Sequence, residues 1–181
     1  MKNFKIQTLF FPLLLLIMIS SCAEKSSDLV NKEDSFLLPF SDEKTDKWGF
    51  KNEAGEIIIP AKKYDHCFSD TFKTYAIVVK ANKFVAIDRD EKVMYTVFPF
   101  DNGPDYPSEG LFRITENGKV GFADEKTGKV VIKPKFACSE PFENGVSKAS
   151  FECKKRMLYE YELCESDNWI FVDKKGEIVK K

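Results

Sequence analysis

The chain has 181 residues, of which 28 are Lys or Arg and 29 are Asp or Glu, so its formal net charge is −1. This balance argues against a nucleic acid, or a membrane surface bound through a polybasic patch, as the partner. The length is sufficient for one domain with a hydrophobic core.

The first segment has the organisation of an export signal. Lys2 and Lys5 form a positive start, and an almost uninterrupted apolar run follows over residues 8–19. A bilayer-spanning helix needs about 20 residues, so this shorter run favours a removable signal peptide over a permanent anchor. The segment Ile19-Ser20-Ser21-Cys22 comes next and resembles the bacterial lipobox, in which small residues precede a cysteine that takes a diacylglycerol. The sequence therefore predicts a signal peptide over residues 1–21 and lipidation of Cys22.

The lipobox resemblance also implies a location. Bacterial lipoproteins carry several acyl chains and are held stably, whereas a single chain anchors a protein only marginally. Residue 23 is Ala and not Asp, which by resemblance to enterobacterial sorting favours the outer membrane, on a face that the sequence leaves open. Residues 22–35 are polar and charged, so we expect a flexible tether between the lipid and a folded domain over residues 36–181.

Four cysteines lie in the predicted domain: Cys67, Cys138, Cys153 and Cys164. In the oxidising envelope they can form disulfides, and four cysteines allow three connectivities. Cys153 and Cys164 flank one local insertion, so they are the expected pair, which would leave Cys67 and Cys138 as buried thiols. No metal or cofactor is expected, since His66 is the only histidine and no C-x-x-C pair occurs.

A short motif recurs along the predicted domain and divides it into four units. The units begin near residues 47, 83, 119 and 168. Their openings read Lys47-Trp48-Gly49-Phe50, Lys83-Phe84-Val85-Ala86, Lys119-Val120-Gly121-Phe122 and Asn168-Trp169-Ile170-Phe171. The last interval is longer because of an insertion around residues 154–167, which we interpret as an enlarged hairpin tip.

Each complete unit reads as three short antiparallel strands. After the opening strand comes a turn that ends in glycine in three of the units, and glycine takes positive φ without steric cost. A β-branched run follows, as in residues 57–59 and 130–132, and we expect Pro60 and Pro134 to end these strands because proline lacks a backbone donor. A third strand is predicted over Tyr75–Val79, Gly110–Thr115 and Val146–Phe151. The predicted fold class is therefore all-β, with tandem three-stranded antiparallel meander units.

Together these features resemble the WG-repeat family, also called KWG repeats. The family pattern combines K-W-G-F/Y, a turn ending in Gly, a β-branched pair followed by Pro, and then an aromatic residue. Residues 47–65 match almost throughout, residues 119–136 match with Val120 in place of Trp, and residues 168–181 match as far as they extend. The second unit is degenerate. The resemblance implies a β-repeat fold with an exported or surface binding role, and it brings no catalytic residues.

Two assemblies are compatible with these units. Residues 36–40 occupy the place of a third strand ahead of Trp48, and the fourth unit has two strands before residue 181. If the two ends pair, the units form a small closed ring without exposed sheet edges. Otherwise they form an open twisted stack.

The sequence offers few candidate site residues. Trp48 and Trp169 occupy equivalent positions and could stack on sugar rings of a ligand, although stacked units more often bury such large aromatic residues. A glycan-active enzyme would need carboxylates such as Glu109, Glu140 and Glu143 to converge in one pocket.

The leading hypothesis is a lipid-anchored envelope protein that acts as a non-enzymatic binding or scaffold module, with a protein or a glycan as ligand. Repeated strand units without a nucleophile and base set favour this function. An accessory subunit of an outer-membrane complex is the alternative, and a glycan-active enzyme ranks third. An immunity or inhibitor function is also compatible with the sequence.

Overall fold

The computed structural model describes residues 35–158 and 161–180, and within these ranges it contains strands, turns and bends but no helix. The predicted all-β fold class is thereby confirmed. The predicted signal peptide, the lipidation site Cys22 and all of the tether except residue 35 lie outside the described residues. No helix of the described ranges is long and apolar enough to cross a membrane.

The strands of the described residues follow the predicted order within each unit. In chain order they are β1 (Leu38–Asp42), β2 (Lys47–Lys51), β3 (Ile57–Tyr64), β4 (His66–Cys67), β5 (Tyr75–Lys80), β6 (Lys83–Asp88), β7 (Val93–Val97), β8 (Pro99–Phe100), β9 (Gly103–Pro104), β10 (Leu111–Glu116), β11 (Lys119–Asp124), β12 (Val130–Phe136), β13 (Cys138–Ser139), β14 (Val146–Ser150), β15 (Lys154–Leu158), β16 (Tyr161–Glu165), β17 (Ile170–Asp173) and β18 (Ile178–Val179). The three predicted closing strands correspond to β5, β10 and β14.

The sheets are out of phase with the sequence units. Each three-stranded packet takes the closing strand of one unit and the first two strands of the next, which gives β1-β2-β3, β5-β6-β7, β10-β11-β12 and β14-β17-β18. The hairpin between β5 and β6 illustrates this, since its ladder runs from Tyr75 opposite Asp88 to Lys80 opposite Lys83. A short pairing of β7 with β10 joins two packets into one sheet, and β4 adds the seventh strand at its edge. Successive units are therefore tied together by backbone hydrogen bonds.

The glycine of the repeat motif lies where the second strand bulges. Trp48 pairs with Tyr64 while Phe50 pairs with Ile59, so residues 60–63 face Gly49 alone. A Cβ atom on Gly49 would lie 2.4 Å from the carbonyl oxygen of Ile59. The motif therefore requires glycine here because backbone approaches backbone, and not because φ is positive.

The same bulge corrects the prediction for the two prolines. β3 continues past Pro60 to Tyr64, and β12 continues past Pro134 to Phe136. The register of β12 on β11 shifts on either side of Phe122, as that of β3 shifts on β2. Proline is tolerated because a bulge leaves backbone donors outside the regular ladder. The prediction that proline ends these strands is wrong.

Equivalent aromatic pairs fill the core of the first and third units. Phe50 meets Phe72 edge-on with ring centroids 4.9 Å apart, and Phe122 meets Phe142 in the same way at 4.7 Å. All four rings are fully buried. Edge-to-face packing of this kind adds about 0.5–1.5 kcal/mol to the free energy gained by burying the area.

The turn of one unit packs on the second strand of the unit before it. The Glu91 carboxylate accepts hydrogen bonds from Lys63 Nζ at 2.8 Å and from the Tyr64 hydroxyl at 3.0 Å. Two units later Lys135 Nζ donates to the Gly176 carbonyl at 3.0 Å. These contacts link the first unit to the second and the third unit to the fourth.

The described ends of the chain do not pair with each other. β1 hydrogen-bonds to β2, and β18 hydrogen-bonds to β17, and no described strand joins them. The small closed ring is therefore not formed, because the strands at each end find their partners within their own packets. The sheets remain open, as in the alternative arrangement.

The insertion forms the predicted hairpin from β15 and β16, but its disulfide differs from the expected one. Cys138 is bonded to Cys153, with Cα atoms 6.0 Å apart. Cys164 lies opposite Lys155 in the hairpin register, and therefore not directly opposite Cys153. The predicted Cys153–Cys164 pair is corrected to Cys138–Cys153, so Cys138 is not a thiol, whereas Cys67 is a buried thiol as expected.

Candidate ligand-binding cleft

A cleft of about 430 Å³ opens where three successive units meet. Its walls are segment 68–77, which leads into β5, segment 104–107, which follows from β9, and residues 125–126 in the turn after β11. The volume lies within the range of about 300–1,000 Å³ that is typical of small-ligand sites. Loops held by a strand scaffold commonly carry binding residues, which makes this cleft the candidate site.

The first wall carries Phe68, whose side chain is 43% exposed. Its ring is held edge-on by His66 at 4.7 Å and by Phe84 at 5.5 Å between centroids. The backbone is also fixed, because the Phe68 N–H donates to the Ile77 carbonyl at 2.9 Å and the Ile77 N–H donates to Ser69 Oγ at 2.8 Å. An exposed aromatic ring is thus held in one orientation at the cleft.

The second wall carries Tyr106, which is 67% exposed. Pro104 precedes it by two residues and Pro107 follows it, and each proline restricts φ to a narrow range. The intervening Asp105 is buried, and its N–H donates to the Phe98 carbonyl at 2.8 Å. Tyr106 therefore projects from a short segment with little backbone freedom.

A buried ion pair holds the Tyr106 segment in place. The Asp105 carboxylate accepts hydrogen bonds from the Arg113 side chain through Nε at 3.1 Å and through the second guanidinium nitrogen, and from the Arg113 backbone N–H at 2.8 Å. The remaining guanidinium nitrogen donates to the Ser139 carbonyl at 3.0 Å, and the Phe98 ring lies 4.2 Å below the guanidinium carbon. Both partners of the pair belong to the second unit, and the hydrogen bond from Arg113 to Ser139 connects this unit with the third.

The third wall, residues 125–126, is joined to the first wall through Tyr75. Its hydroxyl donates to the Glu125 carbonyl at 2.6 Å, and its ring lies parallel to Phe112 with centroids 6.1 Å apart. Burial raises the pKa of Tyr75 to about 12 from 10.0, with smaller contributions from the charges of Glu125 and Asp124. Gly128 lies against the same ring, since a Cβ there would be 2.6 Å from it.

The exposed charges of the cleft balance one another. Asp70 and Glu125 carry negative charge at its walls, and Lys73 and Lys126 carry positive charge. The fifth charged group, the Asp105 carboxylate, is neutralised by Arg113. The cleft therefore presents hydrogen-bonding groups of both kinds without a dominant sign of charge.

The two tryptophans predicted as stacking residues do not line the cleft. Trp48 is half-buried, packs on the core of the first unit, and meets His66 edge-on at 5.0 Å. Trp169 is also half-buried, with Lys148 Nζ 4.5 Å above its ring. Trp48 contacts the same His66 ring as Phe68 but lies outside the cleft, and the ligand-stacking role of both tryptophans stays a prediction.

Two of the three glutamates considered for an enzyme pair with different lysines. Glu109 accepts hydrogen bonds from the Gly145 N–H at 3.0 Å and pairs with Lys174 at 3.1 Å, and these contacts lower the pKa of its carboxyl. Glu140 lies 3.6 Å from Lys148 Nζ, and Glu143 is exposed. None of them lines the cleft. Among the described residues, no group of three or more His, Cys, Asp or Glu side chains is arranged to hold a metal ion.

Sequence reasoning did not identify Phe68, Tyr106 or the Asp105–Arg113 pair. A signal for the second wall was present, because an aromatic residue between two prolines is unusual in a turn of polar residues. Phe68 gave no comparable signal, since its exposure depends on how β4 and β5 are placed. The cleft also lies between units, and the repeat motif predicts only the strands within a unit.

Two segments of this scaffold match a known protein family. The family model described as the WG containing repeat matches residues 48–84 and 121–152. The chain contains WG repeats. No curated protein and no solved structure matches it.

The WG-repeat resemblance predicted from the sequence is thus confirmed for the first and third units. Both matched WG repeats include the strand bulge. In the third unit, a Cβ atom on Gly121 would lie 2.4 Å from the Ile132 carbonyl oxygen. Most of the second unit lies outside the matched segments, and it has Val85 where the WG repeats have glycine. This divergent unit is the one that supplies Tyr106 to the cleft.

Proposed function

We propose that this chain is a lipid-anchored protein of the bacterial envelope, and that it binds a ligand in the cleft between its WG repeats without catalysing a reaction. The observation that carries the proposal is the exposure of Phe68 and Tyr106 on rigid supports at one cleft. Both rings remain accessible on segments whose backbone hydrogen bonds are already made, so neither segment must reorganise to meet a ligand.

The buried ion pair supports a binding role for the Tyr106 segment. A buried ion pair is often no more stabilising than apolar residues of the same volume, so stability alone is a weak reason for Asp105 and Arg113 at these positions. They do hold Tyr106 in place before any ligand arrives, and such preorganisation raises affinity. The proposal is non-enzymatic because Arg113 already neutralises the one buried carboxylate of the cleft.

Lipid anchoring is supported by the order of charge, apolar run, small residues and cysteine over residues 1–22. We expect the Cys22→Ser protein to lose incorporation of a radiolabelled fatty acid and to leave the membrane fraction. The Cys67→Ser protein is the matched control and should retain both. Equal labelling of the Cys22→Ser protein and the wild type would refute the anchor.

Binding is tested by crosslinking in intact cells that express the full chain with a tag at residue 181. The material captured by the wild type is compared with that captured by the double variant Phe68→Ala, Tyr106→Ala. Phe151→Ala is the control, since Phe151 is an exposed aromatic residue that does not line the cleft. Loss of capture in the double variant alone supports the cleft, and unchanged capture by all three proteins contradicts it.

A second candidate function, an accessory subunit of an outer-membrane complex, is favoured by a different observation. The second strands of the WG repeats begin with exposed apolar pairs, Ile57-Ile58 and Val130-Val131, with Ile57 61% and Val130 44% exposed. Both pairs lie on edge strands, since β3 and β12 each end a sheet. Exposed apolar edges are typical places for another chain to pair. Loss of capture on Ile57→Lys and Val130→Lys, with the aromatic variants unaffected, would support this function instead.

A further inference from the structure

We infer that the ligand of the cleft is a short, uncharged oligosaccharide that stacks on Phe68 and Tyr106. The inference rests on the proposed function and specifies its ligand class. Three properties of the cleft support it: the aromatic walls, the balance of charge, and the hydrogen bonds that its backbone N–H groups already make within the protein.

The aromatic walls fit the apolar faces of sugar rings. A pyranose ring has flat patches of C–H groups that pack on an aromatic face, while its hydroxyls point outward around the rim. Phe68 gives an apolar ring, and Tyr106 gives a ring with a hydroxyl that can donate or accept a hydrogen bond. The walls belong to different units, so one ligand can touch both only if it occupies the cleft.

The charge balance favours a ligand without net charge. Asp70 and Glu125 are acceptors for sugar hydroxyls, and Lys73 and Lys126 are donors to sugar oxygens. An acidic ligand would gain from the lysines and lose to the carboxylates, and the reverse holds for a basic ligand. A neutral polyol uses both sets at once.

Three backbone donors of the cleft are already engaged and cannot pair with an extended peptide. Peptides that bind by strand addition need free backbone N–H and carbonyl groups along an edge. Here the N–H groups of Phe68, Ile77 and Asp105 already donate to the Ile77 carbonyl, Ser69 Oγ and the Phe98 carbonyl. Recognition therefore falls to side chains, which is the usual arrangement for a ligand made of rings and hydroxyls.

The inference is tested by titration calorimetry on the full chain in detergent micelles. The probes are three neutral trisaccharides (tri-N-acetylchitotriose, cellotriose and maltotriose), an acidic one (trigalacturonate), a basic one (chitosan trimer) and an alternating Ala-Pro decapeptide. We expect at least one neutral sugar to bind at least about tenfold more tightly than both charged sugars and the peptide. Phe68→Ala and Tyr106→Ala should each weaken that binding about tenfold or more, whereas Tyr106→Phe keeps the ring and should change it by less than about threefold. Circular dichroism of each variant shows whether it is folded, and Phe151→Ala is again the control.

The outcomes separate this inference from the proposed function. Binding of the peptide or of a charged sugar in preference to every neutral one overturns the inference and leaves a binding cleft in place. Neutral-sugar binding that is unchanged in both alanine variants also overturns it, since the sugar would then lie elsewhere. No binding of any probe, together with cellular capture that still depends on Phe68 and Tyr106, overturns the sugar ligand alone. No binding and no cleft-dependent capture overturns the proposed function as well.

Discussion

Gly49 and Gly121 show how a single residue sets the shape of each WG repeat. At both positions the backbone of the second strand fills the place that a side chain would occupy. The degenerate unit has Val85 at the same place, and there Val85 and Ala86 pair with Thr96 and Tyr95 without an interruption between them. The register of β6 on β7 shifts only after Ala86, so glycine is needed where the partner strand bulges directly opposite this position.

We expect Gly49→Ala and Gly121→Ala each to lower the free energy of unfolding by about 2–3 kcal/mol, because the atoms in the way belong to the backbone and cannot rotate aside. Urea denaturation of the variants measures this effect. Gly103→Ala is the matched control, since Gly103 is buried but a Cβ there has its nearest atom at 3.8 Å. A loss at Gly103 equal to that at Gly49 would contradict the explanation.

The Asp105–Arg113 pair is the second feature that depends on single residues. Asp105→Asn keeps the shape of the side chain but leaves the buried guanidinium without a counter-charge, which typically costs about 3–5 kcal/mol. We expect a loss of this size in chemical denaturation, together with weaker ligand binding. Glu165→Gln breaks the exposed pair with Arg156 and should change stability by less than about 1 kcal/mol. Similar small effects from both substitutions would show that the buried pair does not hold the segment.

At the level of strands and hairpins, the insertion is tied to the sheet by its disulfide. The Cys138–Cys153 bond connects β13 with the start of the β15–β16 hairpin and spans 15 residues. Closing a loop of this length in the unfolded chain stabilises the fold by about 3 kcal/mol.

We therefore expect Cys138→Ser to lower the free energy of unfolding by about 3 kcal/mol in denaturation without reductant. Peptide mapping of the wild type under the same conditions should recover Cys138 and Cys153 in one linked product. Cys164→Ser, the control, should leave that product intact. A linked product that contains Cys153 and Cys164 would instead support the pairing expected from the sequence.

Across the whole molecule, the units are held together partly by tyrosine hydroxyls. The Tyr95 hydroxyl donates to the Gly128 carbonyl at 2.7 Å and the Tyr75 hydroxyl to the Glu125 carbonyl, while the Tyr64 hydroxyl donates to the Glu91 carboxylate. Burial raises the pKa of all three phenols above the ordinary value of 10.0. Burial also raises the pKa of the Cys67 thiol from 9.0 to about 11.

These pKa values predict a loss of stability in alkali. The folded state favours the protonated form of each group, so the stabilisation is complete below the unfolded pKa and is lost as pH rises through the folded one. Melting temperature should therefore fall from about pH 9, where Cys67 begins to contribute, and more steeply from pH 10, where Tyr75, Tyr64 and Tyr95 contribute together. Tyr75→Phe should lower stability at pH 7 by about 1 kcal/mol and flatten the slope between pH 10 and 12. An unchanged slope in that variant would contradict the role of Tyr75.

The strand order and the approximate strand bounds could be predicted from the sequence, because alternation, turn glycines and β-branched runs act over a few residues. The continuation of β3 past Pro60 could not, since it depends on a bulge that forms only against Gly49. The cleft could not be predicted either. Phe68 and Tyr106 are 38 positions apart along the chain, and only the packing of three units brings their segments to one place.

The sequence by itself determined the all-β repeat architecture and the WG-repeat membership of the first and third units, because each feature of that motif has a local physical cause. It also carries the prediction of lipidation at Cys22, which a linear signal specifies. Only the tertiary structure decided the phase of the sheets, the open ends, the Cys138–Cys153 bond and the cleft. These features depend on which strands and side chains meet across long sequence separations, and the periodicity of one strand holds no information about the partner that it meets.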